Sequence, residues 1–336
     1  MFFFNIDIVG TCNLKCPSCP VGNWGEFSEA GQYMSPELLS RVLDKAQSEC
    51  YITGVGLFNW TEPLLHPNLP EMVSVVQSKG LPCYLSSNLN ILKNVEEVFK
   101  RNLYQFRVSL SGFTQEIYSR THRGGNIEKV KKNMYSLADI KQRTGCSTKI
   151  EVLYHRYLHN LGSEEQSMRD LSESLGFTFT PVWAFMMPLE KVLKILHPDN
   201  EITTGVHISK EDLELIESLA LPIDKLETHL SLSRYKTSPC SLQDNQVTID
   251  HKGEVQICCA LYDSSKYTLA PYLETPLSEL QAMKVSSAVC TKCMEAGIHK
   301  YVTYEEPQLE MLALWNVGQK QLSSSKDCNT ISEVIF

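Results

Sequence analysis

The sequence predicts an α/β fold in which a partial, TIM-like (β/α)6 barrel precedes a small α+β domain with a β-hairpin. Strand patterns alternate with amphipathic helix patterns six times within residues 1–185, which is typical of parallel βα units. Six units fall short of the eight that close a full barrel. After residue 240 the alternation stops, and two short strand patterns flank the turn His251-Lys252-Gly253, which predicts a hairpin.

Six segments carry the apolar patterns of strands, and helical patterns follow them. The predicted strands span residues 2–9, 51–58, 82–87, 104–110, 148–154 and 177–183. The predicted barrel helices span residues 36–49, 68–79, 92–101, 126–143 and 164–175. Two helix starts carry a clear signal, because Ser35 and Asn126 suit the N-cap and Pro36 suits the first helical position. In such sheets, ligands bind at the carboxyl ends of the strands.

The predicted organisation has four regions, which span residues 1–185, 186–239, 240–300 and 301–336. The first is the partial barrel. The second is a helical connector, with helical patterns at 188–196, 209–219 and 222–232. The third is the small domain, whose hairpin strands are 246–250 and 254–258. The last contributes a C-terminal helix and a polar tail that we expect to be mobile.

Length and composition predict a cytoplasmic globular protein. The chain has 336 residues, of which 43% are hydrophobic, so it can bury a large core. Its formal net charge of -8 argues against a nucleic-acid-binding surface, which needs concentrated Lys and Arg. No segment has the roughly 18 consecutive apolar residues of a membrane span, and the first residues lack the pattern of a signal peptide. We therefore expect neither nucleic acid nor a membrane as partner.

The twelve cysteines are concentrated in two groups. In a cytoplasmic protein, clustered cysteines indicate metal ligands or redox groups rather than structural disulfides. The first group is Cys12, Cys16 and Cys19, and the second is Cys240, Cys258, Cys259, Cys290 and Cys293. Small buried or surface side chains are expected of the remaining Cys50, Cys83, Cys146 and Cys328.

The first group lies in a short loop directly after the first predicted strand. Its three thiolates can hold three irons of a [4Fe–4S] cluster and leave the fourth iron open to a ligand that is not protein. A structural zinc site, the main alternative, requires four protein ligands, and the nearest later cysteine, Cys50, lies beyond a helix. The count of three therefore favours an iron–sulfur cluster with an open position.

The motif Cys12-x3-Cys16-x2-Cys19, after the first strand of a partial barrel, resembles the signature of the radical S-adenosylmethionine (SAM) superfamily. The resemblance implies that SAM binds the open iron through its amino and carboxylate groups. It also implies that the reduced cluster cleaves SAM to methionine and a 5′-deoxyadenosyl radical, which abstracts a hydrogen atom from the substrate. The cofactors supply the bond chemistry, so no side chain is assigned a catalytic role. A reducing partner such as flavodoxin or ferredoxin is implied.

The resemblance also implies SAM contacts at the following strand ends. Glu62 stands in Asn59-Trp60-Thr61-Glu62-Pro63, where the family usually has Gly-Gly-Glu-Pro, and it would accept hydrogen bonds from the SAM ammonium group. The further expected contacts are Ser87, Asn88, Ser109, Ser111 and Arg156, the last of which would pair with the SAM carboxylate. Ser18 departs from the family pattern, because many members have there an aromatic residue that contacts the adenine.

The second group resembles an auxiliary-cluster domain that follows the barrel in one branch of the superfamily, called SPASM in its long form and twitch in its short form. Twelve residues separate Cys240 from Gly253, four separate Gly253 from Cys258, and a CxxC motif follows. The resemblance implies a second [4Fe–4S] cluster, held by Cys240, Cys258, Cys290 and Cys293. A four-cysteine zinc site and a swap of Cys258 for Cys259 are the alternatives.

A second, fully ligated cluster predicts an enzyme that oxidises its substrate. In relatives of the twitch type, such a cluster accepts the electron left on a substrate radical, which implies net two-electron dehydrogenation of a small molecule. One alternative is a redox-neutral rearrangement or epimerisation of a small or carrier-bound group. Another is modification of a ribosomal peptide, which is less favoured because the sequence starts at the first strand without a leader-binding domain. An iron–sulfur or zinc protein without catalytic activity is the alternative of a different class.

Overall fold

One mixed sheet of nine strands organises the part of the chain that the structure describes. This computed structural model describes residues 1–24, 31–199, 201–221, 223 and 238–326, the last six by their backbone only. The strands are β1 (Phe2–Ile6), β2 (Ile52–Gly56), β3 (Cys83–Ser87), β4 (Gln105–Leu110), β5 (Lys149–Arg156), β6 (Thr178–Trp183), β7 (Gln246–Ile249), β8 (Glu254–Gln256) and β9 (Thr268–Pro271). Their order in the sheet is β6-β5-β4-β3-β2-β1-β7-β8-β9.

Strands β1 to β6 are parallel and lie in sequence order, which confirms the predicted partial barrel. The described sheet does not close, because β6 and β9 form its two edges. Alternate residues of each strand point to opposite faces. In β4, Phe106 and Val108 are fully buried on the helix side, whereas Arg107 and Ser109 line cavities in the barrel interior.

Helices connect the barrel strands and cover the outer face of the sheet. Between the strands lie α1 (Pro20–Asn23), α2 (Pro36–Glu49), α3 (Leu69–Ser78), α4 (Val95–Phe99), α5 (Gln115–Thr121), α6 (Ile127–Thr144) and α7 (Ser163–Ser174). The predicted caps are confirmed, because Ser35 accepts the Leu38 N–H and Asn126 accepts the Lys129 N–H through their side chains. The sequence prediction missed α5, whose seven residues are too few to show a helical period.

The helices after β6 are α8 (Leu189–Leu196), α9 (Lys210–Ser218), α10 (Ser241–Asp244), α11 (Ser264–Tyr267), α12 (Leu277–Val285), α13 (Ala288–Glu295), α14 (Ile298–Thr303) and α15 (Pro307–Lys326). The helix expected at 222–232 lies outside the described residues, apart from residue 223, and so does the tail from residue 327. None of the described helices combines the length and the apolar character that crossing a bilayer requires.

The C-terminal hairpin continues the barrel sheet, which the sequence did not indicate. β7 lies parallel to β1, with Phe4 opposite Val247 and Asn5 opposite Thr248. β8 and β9 then pair antiparallel beyond β7. No local pattern reveals this arrangement, because the paired segments are far apart in the chain.

Two apolar clusters form the described core. The larger lies between the sheet and the barrel helices and includes Phe4, Val55 and Phe106. The smaller joins the segment after β6 to the C-terminal helices and includes Met186 and Tyr301. Within it, the Met186 N–H donates to the Tyr301 hydroxyl at 2.8 Å. The C-terminal helices therefore pack against the carboxyl end of β6.

A buried ion pair links α8, α9 and the end of α1. The Lys191 Nζ lies 2.8 and 2.7 Å from the two carboxylate oxygens of Asp212, and the side chains are 2% and 1% exposed. The same Nζ donates to the Asn23 carbonyl at 3.0 Å. Asp212 also accepts the Ser209 N–H at 2.8 Å and so caps α9. Removing either partner would leave the other charge buried and uncompensated.

Replacing Lys191 with Ala is expected to lower the free energy of unfolding by about 3–5 kcal/mol, because the Asp212 carboxylate then loses its counter-charge. The control is Lys210→Ala, which removes an exposed pair with Glu214 at 3.6 Å and should cost less than about 1 kcal/mol. Urea unfolding followed by circular dichroism measures both changes. Equal losses in the two variants would contradict the role assigned to the buried pair.

Candidate metal and cofactor site

The first cysteine group lies in a tight loop beyond the carboxyl end of β1. The Cys19 N–H donates to the Cys16 carbonyl at 3.1 Å, and Cys19 is the N-cap of α1, whose first position is Pro20. Gly22 packs so closely against the Cys16 carbonyl that a Cβ atom would collide with it. The thiols of Cys12, Cys16 and Cys19 line one cavity.

Burial makes these thiols reluctant to ionise on their own. It raises the pKa of Cys12 to about 12 and that of Cys19 to about 11, and it raises the pKa of Cys16 as well. The Glu62 carboxylate and the neighbouring Cys19 raise the pKa of Cys12 further. Since the thiolate is the form that binds metal, the protons would leave when a cation occupies the site. Three thiols that line one cavity in this way fit a metal cluster.

Asp7, just beyond β1, anchors the segment that precedes Glu62. Its carboxylate accepts the Trp60 N–H at 3.0 Å and the Thr61 hydroxyl. Burial raises the pKa of Asp7 to about 7. Asn5, on β1, adds a further hydrogen bond to the same loop, because its side-chain amide donates to Asn59 Oδ1 at 3.1 Å. These bonds hold in place a loop in which Trp60 and Thr61 stand where the family pattern has two glycines.

Glu62 lines the cavity, and both of its carboxylate oxygens accept backbone N–H groups. Oε1 accepts from Leu64 at 3.0 Å, and Oε2 accepts from Asn88 at 2.8 Å. The residue is 1% exposed, and its burial raises the pKa of the carboxyl to about 7 although these hydrogen bonds lower it. A nearby positive charge would favour the ionised form. The position therefore suits an ammonium group.

The end of β3 brings Ser87 and Asn88 to the same cavity. The Asn88 Nδ2 lies 3.7 Å from the Cys12 sulfur and donates to Asn13 Oδ1 at 2.9 Å. The Ser87 hydroxyl accepts the Leu89 N–H at 2.9 Å. Asn88 thus connects Glu62, through its N–H, with the cysteine loop, through its side chain.

Ser109 and Ser111 also line the cavity, but Ser111 already has side-chain partners. Its hydroxyl pairs with the Thr121 hydroxyl, and the His122 Nδ1 lies 3.1 Å from it. His122 stacks on Tyr118 at 4.6 Å, and burial lowers the pKa of its ring to about 3, so the imidazole is neutral. The sequence reasoning missed Thr121 and His122 because they form the end of α5, the helix that it did not predict.

The structure corrects the expectation that Arg156 pairs with the SAM carboxylate. The Arg156 guanidinium makes two hydrogen bonds of 2.9 Å to Glu165 and lies 5.1 Å from the centre of the Trp183 ring. The predicted strand ended at residue 154, whereas β5 continues through Arg156. Leu153 and His155 therefore face the cavity, and Arg156 points to the other side of the sheet.

Tyr157 places an aromatic ring beside Ser18, which the sequence reasoning also missed. The Tyr157 side chain hydrogen-bonds with that of Ser18, and burial raises the pKa of its phenol to about 12. The residue is 3% exposed and lines the cavity. The feature of the sequence that could have identified Tyr157 is its position two residues after His155, on the same inward-facing side of the chain. An aromatic side chain thus lies next to the position at which many family members carry one.

The cavity that these residues enclose has a volume of about 470 Å³ and lies at the carboxyl ends of the barrel strands. Ligand sites commonly measure about 300–1,000 Å³. The wall combines three thiols, a carboxylate, hydroxyl groups and aromatic and aliphatic surfaces. This combination fits a ligand that has an amino acid end, a ribose and a planar base.

The four cysteines assigned to a second cluster converge on another cavity. Cys240 is the N-cap of α10, Cys258 follows β8, and Cys290 and Cys293 lie on adjacent turns of α13. All four thiols line the cavity, and its other walls are mostly apolar: Leu189, Leu242, Ile257, Leu261, Val289 and Val302. Burial, followed by repulsion from Cys258, raises the pKa of Cys290 to about 11. As at the first site, a bound cation would be needed to ionise the thiols.

Cys258 and Cys259 face different cavities. Cys258 lines the cavity with the other three cysteines, and its sulfur accepts the Ala260 N–H at 3.4 Å. Cys259 lines a separate cavity inside the barrel. The two residues stand at a turn after β8, and their thiols hydrogen-bond with each other. Cys258, which the spacing from Gly253 suggested as the ligand, is the one of the two that lines the cavity with the other three cysteines.

The barrel interior holds a cavity of about 550 Å³ that adjoins both cysteine sites. It shares with the first cavity Phe58, Asn59, Trp60, Phe185 and Met187. It shares Leu242 and Val302 with the cavity of the second cysteine group. Its wall is rich in aromatic rings and side-chain amides, and among the described residues Arg107 is its one charged side chain. We call it the central cavity.

Within the described ranges, no three His, Cys, Asp or Glu side chains form a group that could hold a single metal ion.

Residues 6–157 match a family model described as "Radical SAM superfamily". A probable GTP 3',8-cyclase of Methanococcus maripaludis is 29% identical over 139 residues, which cover 41% of this chain and 45% of that protein. The match thus spans less than half of that relative's length. The GTP 3',8-cyclase of Chlorobaculum tepidum is 22% identical over 304 residues, which cover 84% of this chain and 85% of that protein.

The solved structures include one of SuiB from Streptococcus suis bound to its precursor peptide SuiA. It matches this structure with a TM-score of 0.57 at 11% identity, over 88% of this chain and 66% of that one. At this identity the similarity shows the fold alone, a partial barrel. The family match covers the first cysteine loop, Glu62, Asn88 and the strand ends that line the 470 Å³ cavity. The chain therefore contains a radical SAM domain, which residues 6–157 form.

Proposed function

We propose that this protein is a radical SAM oxidoreductase that removes two hydrogens from a small molecule. The observation that carries the proposal is the position of the central cavity, which adjoins the first cysteine site on one side and the second on the other. A substrate bound there would meet the SAM cavity at Trp60 and Met187 and the second site at Leu242 and Val302. Both proposed redox centres would thus border the same substrate.

The first site would hold a [4Fe–4S] cluster through Cys12, Cys16 and Cys19 and would bind SAM in the 470 Å³ cavity. Glu62 would accept the SAM ammonium group, and Ser87, Asn88 and Ser109 would offer polar contacts at the strand ends. Ser111 would contribute less, because Thr121 and His122 already occupy its hydroxyl. When bound, the cluster and SAM together supply a 5′-deoxyadenosyl radical that takes a hydrogen atom from the substrate.

The second site would hold a [4Fe–4S] cluster through Cys240, Cys258, Cys290 and Cys293. With four protein ligands such a cluster has no open iron for SAM, so electron transfer is the role that suits it. In the proposed oxidation the substrate gives one hydrogen atom to the deoxyadenosyl radical, then one electron to this cluster and one proton to water. An alcohol carbon would thereby become a carbonyl carbon.

Two partners complete the proposal. A one-electron donor such as flavodoxin or ferredoxin would reduce the first cluster. The substrate would be a small molecule or a small group on a carrier, of a size that the central cavity of about 550 Å³ can enclose.

Anaerobically reconstituted protein is expected to bind about eight irons, four for each cluster. With dithionite as reductant it should convert SAM to 5′-deoxyadenosine and methionine, measured by chromatography. Cys12→Ala should remove about four irons and abolish the cleavage. The control Cys146→Ala changes a cysteine outside both groups and should alter neither. Bound zinc in place of iron, or eight irons without deoxyadenosine, would refute the proposal.

Cys258→Ala should remove about four irons and leave SAM cleavage intact, because only the second cluster loses a ligand. The matched variant Cys259→Ala should keep about eight irons, since that thiol faces the central cavity. Iron analysis and deoxyadenosine assays measure both variants. If Cys259→Ala loses the iron and Cys258→Ala keeps it, the assignment of the ligand is wrong.

The same variants test the reaction type once a substrate is identified. A product lighter than the substrate by two hydrogens, absent in Cys258→Ala although deoxyadenosine still forms, would support oxidation with the second cluster as electron acceptor. A product of unchanged mass would instead support a redox-neutral rearrangement or epimerisation.

Tyr157→Ala should weaken SAM binding by about fivefold to a hundredfold, because stacking of a base on an aromatic ring contributes about 1–3 kcal/mol. Tyr157→Phe keeps the ring and should retain most of the affinity. The control Tyr135→Ala removes an exposed ring on α6 and should have no effect. Equilibrium binding of SAM to cluster-loaded protein measures all three. Unchanged affinity in Tyr157→Ala, with iron content intact, would exclude contact between this ring and the adenine.

A further inference from the structure

A buried lysine stands beside the second cysteine site. Lys284, on α12, is 2% exposed, and its Nζ donates to the carbonyls of Leu242 at 2.9 Å and Gln246 at 2.7 Å. Among the described residues it has no carboxylate within ion-pairing distance, in contrast to Lys191, which has Asp212. Lys284 is thus a buried ammonium group whose described partners are neutral carbonyls.

The two carbonyls locate this ammonium group next to the cysteines. Leu242 lies two residues after Cys240 and lines the cysteine cavity, and Gln246 is the first residue of β7. Burial lowers the pKa of Lys284, whereas Cys258, Cys290, Cys259 and Cys240 raise it. The charge therefore lies within electrostatic reach of three of the four proposed ligands.

Burying a charge without a counter-charge is costly, and carbonyl dipoles compensate only part of that cost. The groups near Lys284 that can carry negative charge are the thiols. A [4Fe–4S] cluster with four thiolate ligands is a net anion and becomes more negative when it is reduced. A fixed positive charge nearby favours the more negative state, and low polarity strengthens the effect.

We propose that Lys284 is the counter-charge of the second cluster and that it raises the reduction potential of that cluster. The inference rests on the proposed function, because it requires a cluster at this site. Lys284 would be a positioning residue: it lines neither the SAM cavity nor the central cavity. Its effect would be to make the second cluster a better acceptor of the substrate electron.

Lys284→Met removes the charge and keeps a side chain of similar length. We expect the equilibrium constant for one-electron reduction of the second cluster to fall about tenfold or more, which corresponds to about 59 mV. A redox titration followed by electron paramagnetic resonance, on protein that holds both clusters, measures the change. Lys284→Arg keeps the charge and should keep the potential close to that of the original protein.

The matched control is Lys292→Met. Lys292 lies between Cys290 and Cys293 on α13, but its side chain is 46% exposed and pairs with Glu295 at 2.8 Å. Solvent and salt screen such a charge, so its removal should leave the potential nearly unchanged. Similar shifts in Lys284→Met and Lys292→Met would overturn the inference, because burial would then make no difference.

The iron content of the original protein and of the variants distinguishes a failure of the proposed second cluster from a failure of the role proposed for Lys284. If the original protein holds only about four irons, the second cluster and the role of Lys284 both fail. If Lys284→Met holds all the iron and its potential is unchanged, only the inference about Lys284 fails. Loss of the second cluster in Lys284→Met but not in Lys284→Arg would support the need for a positive charge. Loss in both variants would show a steric role and overturn the proposal.

Discussion

The parallel pairing of β7 with β1 is the constraint on which the rest of the site depends. β1 leads at its carboxyl end to the first cysteine loop, whereas Cys240 precedes the amino end of β7 and Cys258 follows the antiparallel β8. The pairing therefore puts the two cysteine groups at opposite ends of the barrel interior. A five-residue strand spans about 17 Å, which sets the scale of their separation. The central cavity lies between them for this reason.

Buried charge is distributed along the barrel axis in a way that matches the ligands proposed for each end. At the carboxyl end, the carboxylates of Asp7 and Glu62 hold backbone N–H groups of the loops around the first site. At the other end, the ammonium group of Lys284 holds two backbone carbonyls beside the second site. A ligand with a positive charge suits the first environment, and an anionic cluster suits the second. The same side chains shape the loops and set the local charge.

The sequence was informative wherever the signal is local. The spacing of Cys12, Cys16 and Cys19 and the caps at Ser35 and Asn126 are short patterns, and the alternation of strands and helices revealed the barrel. The prediction from sequence failed where the structure depends on the exact end of an element or on pairing with a segment that is distant in the chain. β5 continues two residues beyond its predicted end, and Arg156 therefore points away from the cavity. The short helix α5 was not predicted, and for that reason His122 was not recognised as a residue of the site. The pairing of β7 with β1 has no sequence signal of its own.

That pairing also sets an order of events during synthesis. Phe3 and Gln246 are neighbours in the sheet, so the edge of β1 that pairs with β7 stays unpaired until β7 has been synthesised. At ordinary rates of translation this interval is about 12–50 s. Throughout it, the first cysteine loop has been made while the second site is incomplete, because Cys240 and the cysteines after it come later in the chain. An exposed strand edge of this kind needs protection from aggregation in the meantime.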